Sequence, residues 1–341
     1  MGCSSWEARG SWRCGGARRS PPTTGSEPVR GYVLKKVGWS IGTLLFVVVF
    51  NFFLFRLLPG DPIGLYTRGR NMSPEQLIRL RQQLNRPIGE QFVEYLANPF
   101  ASAINSTRFN RPVWEIIGER VWPTVLLVGT AVLVAAVAGV WLGIRSGWRR
   151  GSRFDRITTG TTNTLYAMPE FWVGMMLIMW LPFFPSGGIN SVGVSGFFAT
   201  AVDTAWHMVL PVTALAIVYL AEYTSIMRAS LVDELRQDYL TLARAKGLRE
   251  DLVRRRHAVP NALLPTMTLI FLNLGFVIGG AITVEYVFSW PGLGLLTAEA
   301  LRGPDIPLLQ AVFLLFSLGV IVFTLLADLL YAVLDPRVST Q

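Results

Sequence analysis

The chain has 341 residues, 51% hydrophobic and only 16% charged, and its mean hydropathy is positive. Soluble domains carry nearer a quarter charged residues, so the totals exclude an ordinary soluble protein and point to a membrane protein. The net charge is +9, but the arginines gather in loops beside apolar runs, which is the positive-inside pattern and excludes a nucleic-acid-binding face.

Residues 1–36 are rich in Gly, Ser, Pro and Arg without periodicity and are expected to form a disordered basic cytoplasmic tail. The two cysteines, Cys3 and Cys14, lie in that tail with no metal or redox spacing. The first apolar run, 37–58, exceeds the roughly 20 residues needed to cross a bilayer core. No small-residue cleavage site follows it, so it reads as a retained anchor. Pro59-Gly60-Asp61-Pro62 then breaks the helix, and residues 59–120 form a polar extracytoplasmic helical segment. Within it, Ser73-Pro74-Glu75-Gln76 is a helix start, continued by Leu77, Leu80 and Leu84. A second stripe of Ile88, Phe92 and Leu96 ends at Asn98-Pro99. Its eight arginines do not decide orientation, because loops of about 60 residues translocate largely regardless of charge.

Residues 121–337 form a five-helix core, with spans expected near Trp122–Ile144, Thr159–Phe184, Ala205–Met227, Leu264–Phe288 and Leu308–Leu334. The expected fold is therefore all-α and polytopic, with six transmembrane helices. Arg145, Arg149, Arg150, Arg153 and Arg156 crowd the loop after the second span, while the stretch from Pro185 to Thr204 has no Lys or Arg. This asymmetry places both termini in the cytoplasm. Gly and Pro inside the spans, among them Pro123, Gly129, Gly139, Pro169, Pro211, Gly275, Gly279 and Gly280, predict kinks and close helix contacts.

Between the fourth and fifth spans lies a loop, 228–260, that is not apolar. Leu231, Leu235, Tyr239 and Leu242 make one helical stripe, and Gly247 interrupts it. Leu248, Leu252 and Val259 then share a side, with Arg254, Arg255 and Arg256 between them, before Pro260 and Pro265. Two short amphipathic helices hinged at a glycine suit either an anionic lipid surface or a protein partner. Five acids (Asp233, Glu234, Asp238, Glu250, Asp251) weaken the lipid reading.

The stretch from Ala243 through Gly247 to Pro260 resembles the cytoplasmic "EAA" loop of ABC-importer permeases, with Gly247 and Pro260 thirteen residues apart as in that family. DYLTLARAKGL, HAVPNALLP, VFSWPGLG and DLLYAVLDPR look more specifically like the B-type permease subunit of dipeptide, oligopeptide and nickel importers. The likeness runs from about Val37 to Arg337. It implies a type I importer permease fold in the bacterial cytoplasmic membrane, moving short peptides or, alternatively, nickel or another small solute. It also implies a second homologous permease, two ABC ATPase subunits that bind ATP and Mg, and an extracytoplasmic substrate-binding protein. The coupling residues it implies are Asp238, Tyr239, Leu242, Ala243, Arg244, Ala245, Lys246, Gly247, Leu248, Arg249, Leu252 and Pro260. One departure stands out: the glutamate that names the loop falls at Thr241, and Leu242 replaces its first alanine. A salt bridge from that glutamate is not carried over.

The chain lacks a motor of its own. A phosphate-binding P-loop needs a glycine before its lysine, and Lys35, Lys36 and Lys246 follow Leu34, Lys35 and Ala245. His207 and His257 are fifty residues apart, which excludes a paired-histidine zinc helix. No cofactor, metal or catalytic group is expected in this chain. Within the spans, Glu222 and Asp328 pose a functional question because charge at the bilayer centre costs roughly 2.5–3.5 kcal/mol. Interhelical pairing and a place in the pathway both remain open for them, as they do for Asn273. A stand-alone secondary transporter is the competing class, and it would need more buried ionisable groups than these.

Overall fold

A bilayer offers the backbone no hydrogen bonds, so an apolar chain can cross it only as helices or as a closed barrel. The computed structural model describes residues 29–56, 75, 78, 82, 86–97, 105–279, 281–303 and 305–334. Among them there is no strand, only an isolated bridge between Asn105 and Pro112. The helices are α1 Val29–Arg56, α2 Ile88–Ala97, α3 Val113–Trp148, α4 Arg153–Tyr166, α5 Glu170–Trp180 and α6 Phe197–Glu234. They continue with α7 Asp238–Ala245, α8 Glu250–Leu252, a π-helical turn Val253–Ala258, α9 Val259–Gly279, α10 Ile282–Val287, α11 Leu293–Arg302 and α12 Ile306–Leu334. Five helices among the described residues are long and apolar enough to cross a membrane, with 250–275 running as one rod, and α5 is a shorter apolar helix.

The expected third span is two helices, not one. Its polar half, α4, stops at Tyr166, and α5 starts after Pro169. A proline disfavours helical geometry in the residue before it, which here separates a threonine-rich helix from an apolar one. The expected fifth span is also shorter, ending as a rod at Gly279, with α10 folded separately. The first helix begins at Val29 instead of Val37. Lys36 anchors the added turns by pairing with Asp328 of α12 at 2.9 Å and lying over the Tyr32 ring. The helix start at Ser73-Pro74, most of its stripe, Pro59–Pro62, Asn98-Pro99, Gly280 and residues 1–28 of the tail lie outside the described residues. The second outer stripe forms α2, but it presents Phe92 and Tyr95 to Phe52 while Ile88 and Leu96 are exposed.

The centre of the molecule is a seam between α3 and α6. Gly139, Gly143 and Gly147 lie one turn apart on α3, opposite Tyr223, Met227 and Leu231 of α6. A Cβ at Gly143 would sit 2.6 Å from the Met227 Cβ and 2.9 Å from the Thr224 carbonyl oxygen. Both rows ascend together, so α3 and α6 run parallel and bring their C-terminal ends to the same face. Around the seam a core of Leu127, Ala131, Val132, Ala135, Leu210, Ala214, Leu215 and Tyr223 is buried.

At the opposite end a buried carboxylate organises the chain. Glu285 accepts the Thr124 hydroxyl at 2.8 Å and the backbone N–H groups of Gly294 and Leu295 at 2.7 and 3.1 Å. It thereby satisfies the free donors at the start of α11. Gly292 and Gly294 are required because a Cβ on the first would strike Thr124 and Glu285, and on the second the Ile282 backbone. Trp290, fully buried, donates its indole N–H to the Pro123 carbonyl at 2.9 Å. Nearby, Asp305 caps α12 and accepts the Ser106 hydroxyl at 2.5 Å and the Arg108 N–H at 2.9 Å.

Gly143→Ala is expected to lower the stability of the purified protein by about 1–3 kcal/mol, the usual cost of overpacking. Gly129→Ala, where a Cβ meets nothing within 4 Å, should be neutral in the same thermal-unfolding measurement.

Candidate functional site

Past the seam, α6 continues to Glu234 and leads into an arm formed by α7, α8 and the π-helical turn. Arg228 fastens the base of the arm. Its Nε and Nη2 donate to the two carboxylate oxygens of Asp155 at 2.5 and 2.9 Å. Asp155 is buried and also accepts the Ser146 hydroxyl at 2.5 Å and the Gly151 N–H at 2.8 Å. Ser152 in turn caps α4 by accepting the Asp155 N–H. A Ser followed three residues later by a carboxylate is a helix-start signature, so local sequence places Asp155 before any tertiary contact forms. The Arg228 guanidinium holds the Asp155 carboxyl far below the usual carboxylate range, against the opposing effect of burial.

The chain turns at Leu235–Gln237 and re-enters a helix at Asp238. Leu240 and Ala243 of α7 face inward and pack with Met227, Leu231, Val253, Ala258 and Ala262. Gly247 ends the helix. Its φ is +76°, its N–H donates to the Arg244 carbonyl, and the Leu248 N–H donates to the Ala243 carbonyl. This pair of bonds is a Schellman cap, in which the left-handed residue is usually glycine. Nothing lies within 4 Å of a Cβ built there, so the need for glycine is conformational and not steric.

The π-helical turn joins the arm to α9 and admits Pro260, which stays within one continuous helical path instead of marking a break. Tyr239 clasps both sides of the arm. Its hydroxyl bonds to Glu234 and to the His257 carbonyl, and it accepts the Asn261 amide at 2.8 Å. Burial first and the Glu234 bond second push the Tyr239 phenol up to about 12, so it stays a donor at physiological pH.

The predicted stripe of Leu231, Leu235, Tyr239 and Leu242 is not one stripe, since α6 ends between its members. Leu231 is buried in the arm's core, whereas Tyr239 and Leu242 are 37% and 57% exposed. Asp238, Arg244, Ala245, Lys246, Gly247, Leu248, Arg249 and Pro260 are exposed, Leu252 is half-buried, and Ala243 is buried. Arg244 pairs with Glu250 at 3.0 Å and Arg249 with Asp251 at 3.3 Å. The result is an apolar patch of Tyr239, Leu242 and Leu248 with a charged rim, standing off the end of two parallel spans.

The charged and polar residues flagged within the spans have protein partners. Asn273 of α9 donates to Glu222 at 3.0 Å and to the Tyr223 hydroxyl at 3.1 Å, joining α9 to α6. Asp328 is held by Lys36. Sequence reasoning missed Leu240, the Asp155–Arg228 clasp, Glu285 and Asp305. The signals present were the Ser152-to-Asp155 spacing and the paired glycines of the WPGLG run. Among the described residues no group of three or more His, Cys, Asp or Glu is placed to hold a metal ion.

Comparison with known proteins bears on this arrangement. Residues 135–340 match the family described as binding-protein-dependent transport system inner membrane component, and residues 30–115 match its N-terminal family. The chain is 33% identical to the dipeptide transport system permease protein of Escherichia coli (strain K12), across 90% of this chain and 98% of that protein. It is 37% identical to the glutathione transport system permease protein of Pectobacterium atrosepticum, covering 90% and 98%. With the oligopeptide transport system permease protein of Bacillus subtilis the identity is 33%, covering 90% and 99%.

Removing one partner of the buried pair, as in Asp155→Ala, should destabilise the protein by about 3–5 kcal/mol in thermal unfolding. A depressed carboxylate stabilises fully above its unfolded value of about 4 and loses that contribution as pH falls below it. The gap between wild type and variant should therefore be constant from pH 5 to 8, roughly, and shrink in acid. At Gly247, valine should cost about 1–2 kcal/mol for left-handed geometry and speed proteolysis of the arm, while asparagine should be tolerated.

Proposed function

This chain belongs to the family of binding-protein-dependent transport system inner membrane components, and on that premise we propose that its cargo is short peptides, di- and oligopeptides. It is a pore-forming permease subunit of an ABC importer, a multi-pass membrane protein and not an enzyme, and ATP hydrolysis resides on separate subunits. The full assembly on this reading has a second homologous permease, two ATPase subunits and an extracytoplasmic binding protein. The arm and both termini face the cytoplasm, in keeping with the arginines clustered at that face.

The observation that carries the coupling role is the exposed patch of Tyr239, Leu242 and Leu248 on an arm bolted to two parallel spans. Apolar side chains held outward at the end of a rigid element are what a groove on a partner needs. Lys246, Arg244 and Arg249 form the rim, where charge steers encounter more than it adds affinity. When the ATPase subunits close, the arm moves with them as one piece. Arg228 and Asp155 pass the motion to α4, and the glycine seam passes it to α3. The pathway then changes between inward and outward access by rigid-body movement. Glu222, Asn273 and Asp328 serve on this reading as interhelical fasteners.

Leu242→Asp is expected to weaken co-purification of the ATPase subunits by about 30-fold, the scale of losing an interface hot spot, without unfolding an already exposed position. In proteoliposomes the complete assembly should take up labelled dipeptide only with ATP and Mg, and the isolated chain should take up none. Uphill uptake by the isolated chain would place it instead among stand-alone secondary transporters.

A further inference from the structure

Some arginines at the arm's face of the molecule are paired with acids and others are not. Arg228, Arg244 and Arg249 each hold an acid. Arg145 and Arg254 hold none among the described residues, and both lie over aromatic rings. The Arg145 guanidinium carbon is 5.5 Å from the Trp141 ring centre and 5.1 Å from that of Phe154. That of Arg254 is 5.7 Å from the Trp148 ring centre. Trp141, Arg145 and Trp148 follow at intervals of four and three, one stripe of α3. The acid nearest Arg145 in sequence, Asp155, is already taken up by Arg228, Ser146 and Gly151, and the acid nearest Arg254, Asp251, pairs with Arg249.

A guanidinium lying over an aromatic ring can still donate from its N–H edge to a bidentate acceptor, and phosphate is one that it fits well. Beside this edge the surface is apolar. Trp141, one turn towards the membrane, is 56% exposed, and Ile157, one turn beyond Phe154, is 68% exposed. Exposed tryptophan next to arginine at the end of a spanning helix marks the headgroup level. We propose that Arg145 and Arg254, presented on Trp141, Phe154 and Trp148, bind the phosphate of an anionic phospholipid whose acyl chains lie along Trp141 and Ile157. The continuity of cationic and apolar surface selects a lipid over a soluble anion. Because Arg254 belongs to the arm and Trp148 to α3, a bound headgroup ties the arm to the bundle from the lipid side. This site requires only that the chain lies in a bilayer, and it holds whatever the cargo or motor.

The test is native mass spectrometry of the assembled importer released from vesicles with equal phosphatidylglycerol and phosphatidylcholine. Wild type is expected to retain phosphatidylglycerol selectively, and Arg145→Gln with Arg254→Gln to retain it about fivefold less or lower still. Arg145→Gln alone, at an exposed side chain with no acid partner, should show most of this loss even if the double variant fails to assemble. Arg150→Gln removes the same charge from the same end of the bundle without an aromatic bed and should change retention less than about twofold. Equal loss from Arg150→Gln would reduce the site to diffuse attraction and overturn it. Displacement by millimolar inorganic phosphate would make it a soluble-anion site. Unchanged lipid with loss of a companion subunit would make the patch a protein contact. Either result refutes the proposal. All these readings are independent of transport, so failure here is distinguishable from failure of the peptide-import reading.

Discussion

Backbone rests directly on backbone where α3 meets α6, and most of the molecule's mechanical character follows from that contact. Lipid tails are as apolar as leucine, so helices in a bilayer are drawn together by close packing more than by the hydrophobic effect. Gly139, Gly143 and Gly147 let Tyr223, Met227 and Leu231 approach until nothing remains between the helices to compress. Two rods joined along two turns in this way cannot slide or roll independently. Movement applied to one end of α6 is therefore movement of α3.

Polar groups extend the same principle beyond the seam. Each element that continues the bundle is secured by a group that would be costly to leave unpaired: Asp155 and Arg228 at the arm, Glu222 and Asn273 between α6 and α9, Lys36 and Asp328 between α1 and α12. At the far end Glu285 and Asp305 hold turns by their backbone N–H groups, where no side-chain substitution in the turn itself could do so. The buried ones among them, Asp155, Glu285 and Asp305, define geometry more than they add stability, because their desolvation offsets much of the attraction. Placed at both ends of the spans, they fix how the helices sit against one another.

Much of this was legible in the sequence and some was not, for identifiable reasons. Long apolar runs located α1, α3, α6, α9 and α12, because a bilayer allows little else. Hydropathy carries no information on breaks, so although Pro169 signalled a kink, neither the full division into two helices there nor the separate fold of α10 showed in the apolar runs. The stripe through Leu231 and Leu242 misled because helical periodicity was carried across the turn at Leu235–Gln237, where the register resets. Leu240 took the inward place as a result. The clasp between Asp155 and Arg228 joins positions 73 residues apart, and only the local half of it, the Ser152 cap, leaves a trace in the sequence.

Gly247 shows how a residue singled out in the sequence can carry a different physical role. Its place between two short amphipathic segments invites the idea of a hinge, and hinges dissipate force. The structure gives it a fixed left-handed conformation that closes the end of α7 with two backbone bonds. Tyr239 closes the arm again from the other side, through Glu234, the His257 carbonyl and Asn261. The glycine is thus a rivet in a stiff bracket, and bending, where it occurs, must fall elsewhere. The π-helical turn at Val253–Ala258 interrupts the regular α-helical ladder between the arm and α9, and single π turns within helices often mark functional sites. A bracket closed on both sides, at the end of two spans that share a seam, holds Tyr239, Leu242 and Leu248 in a fixed place relative to the bundle.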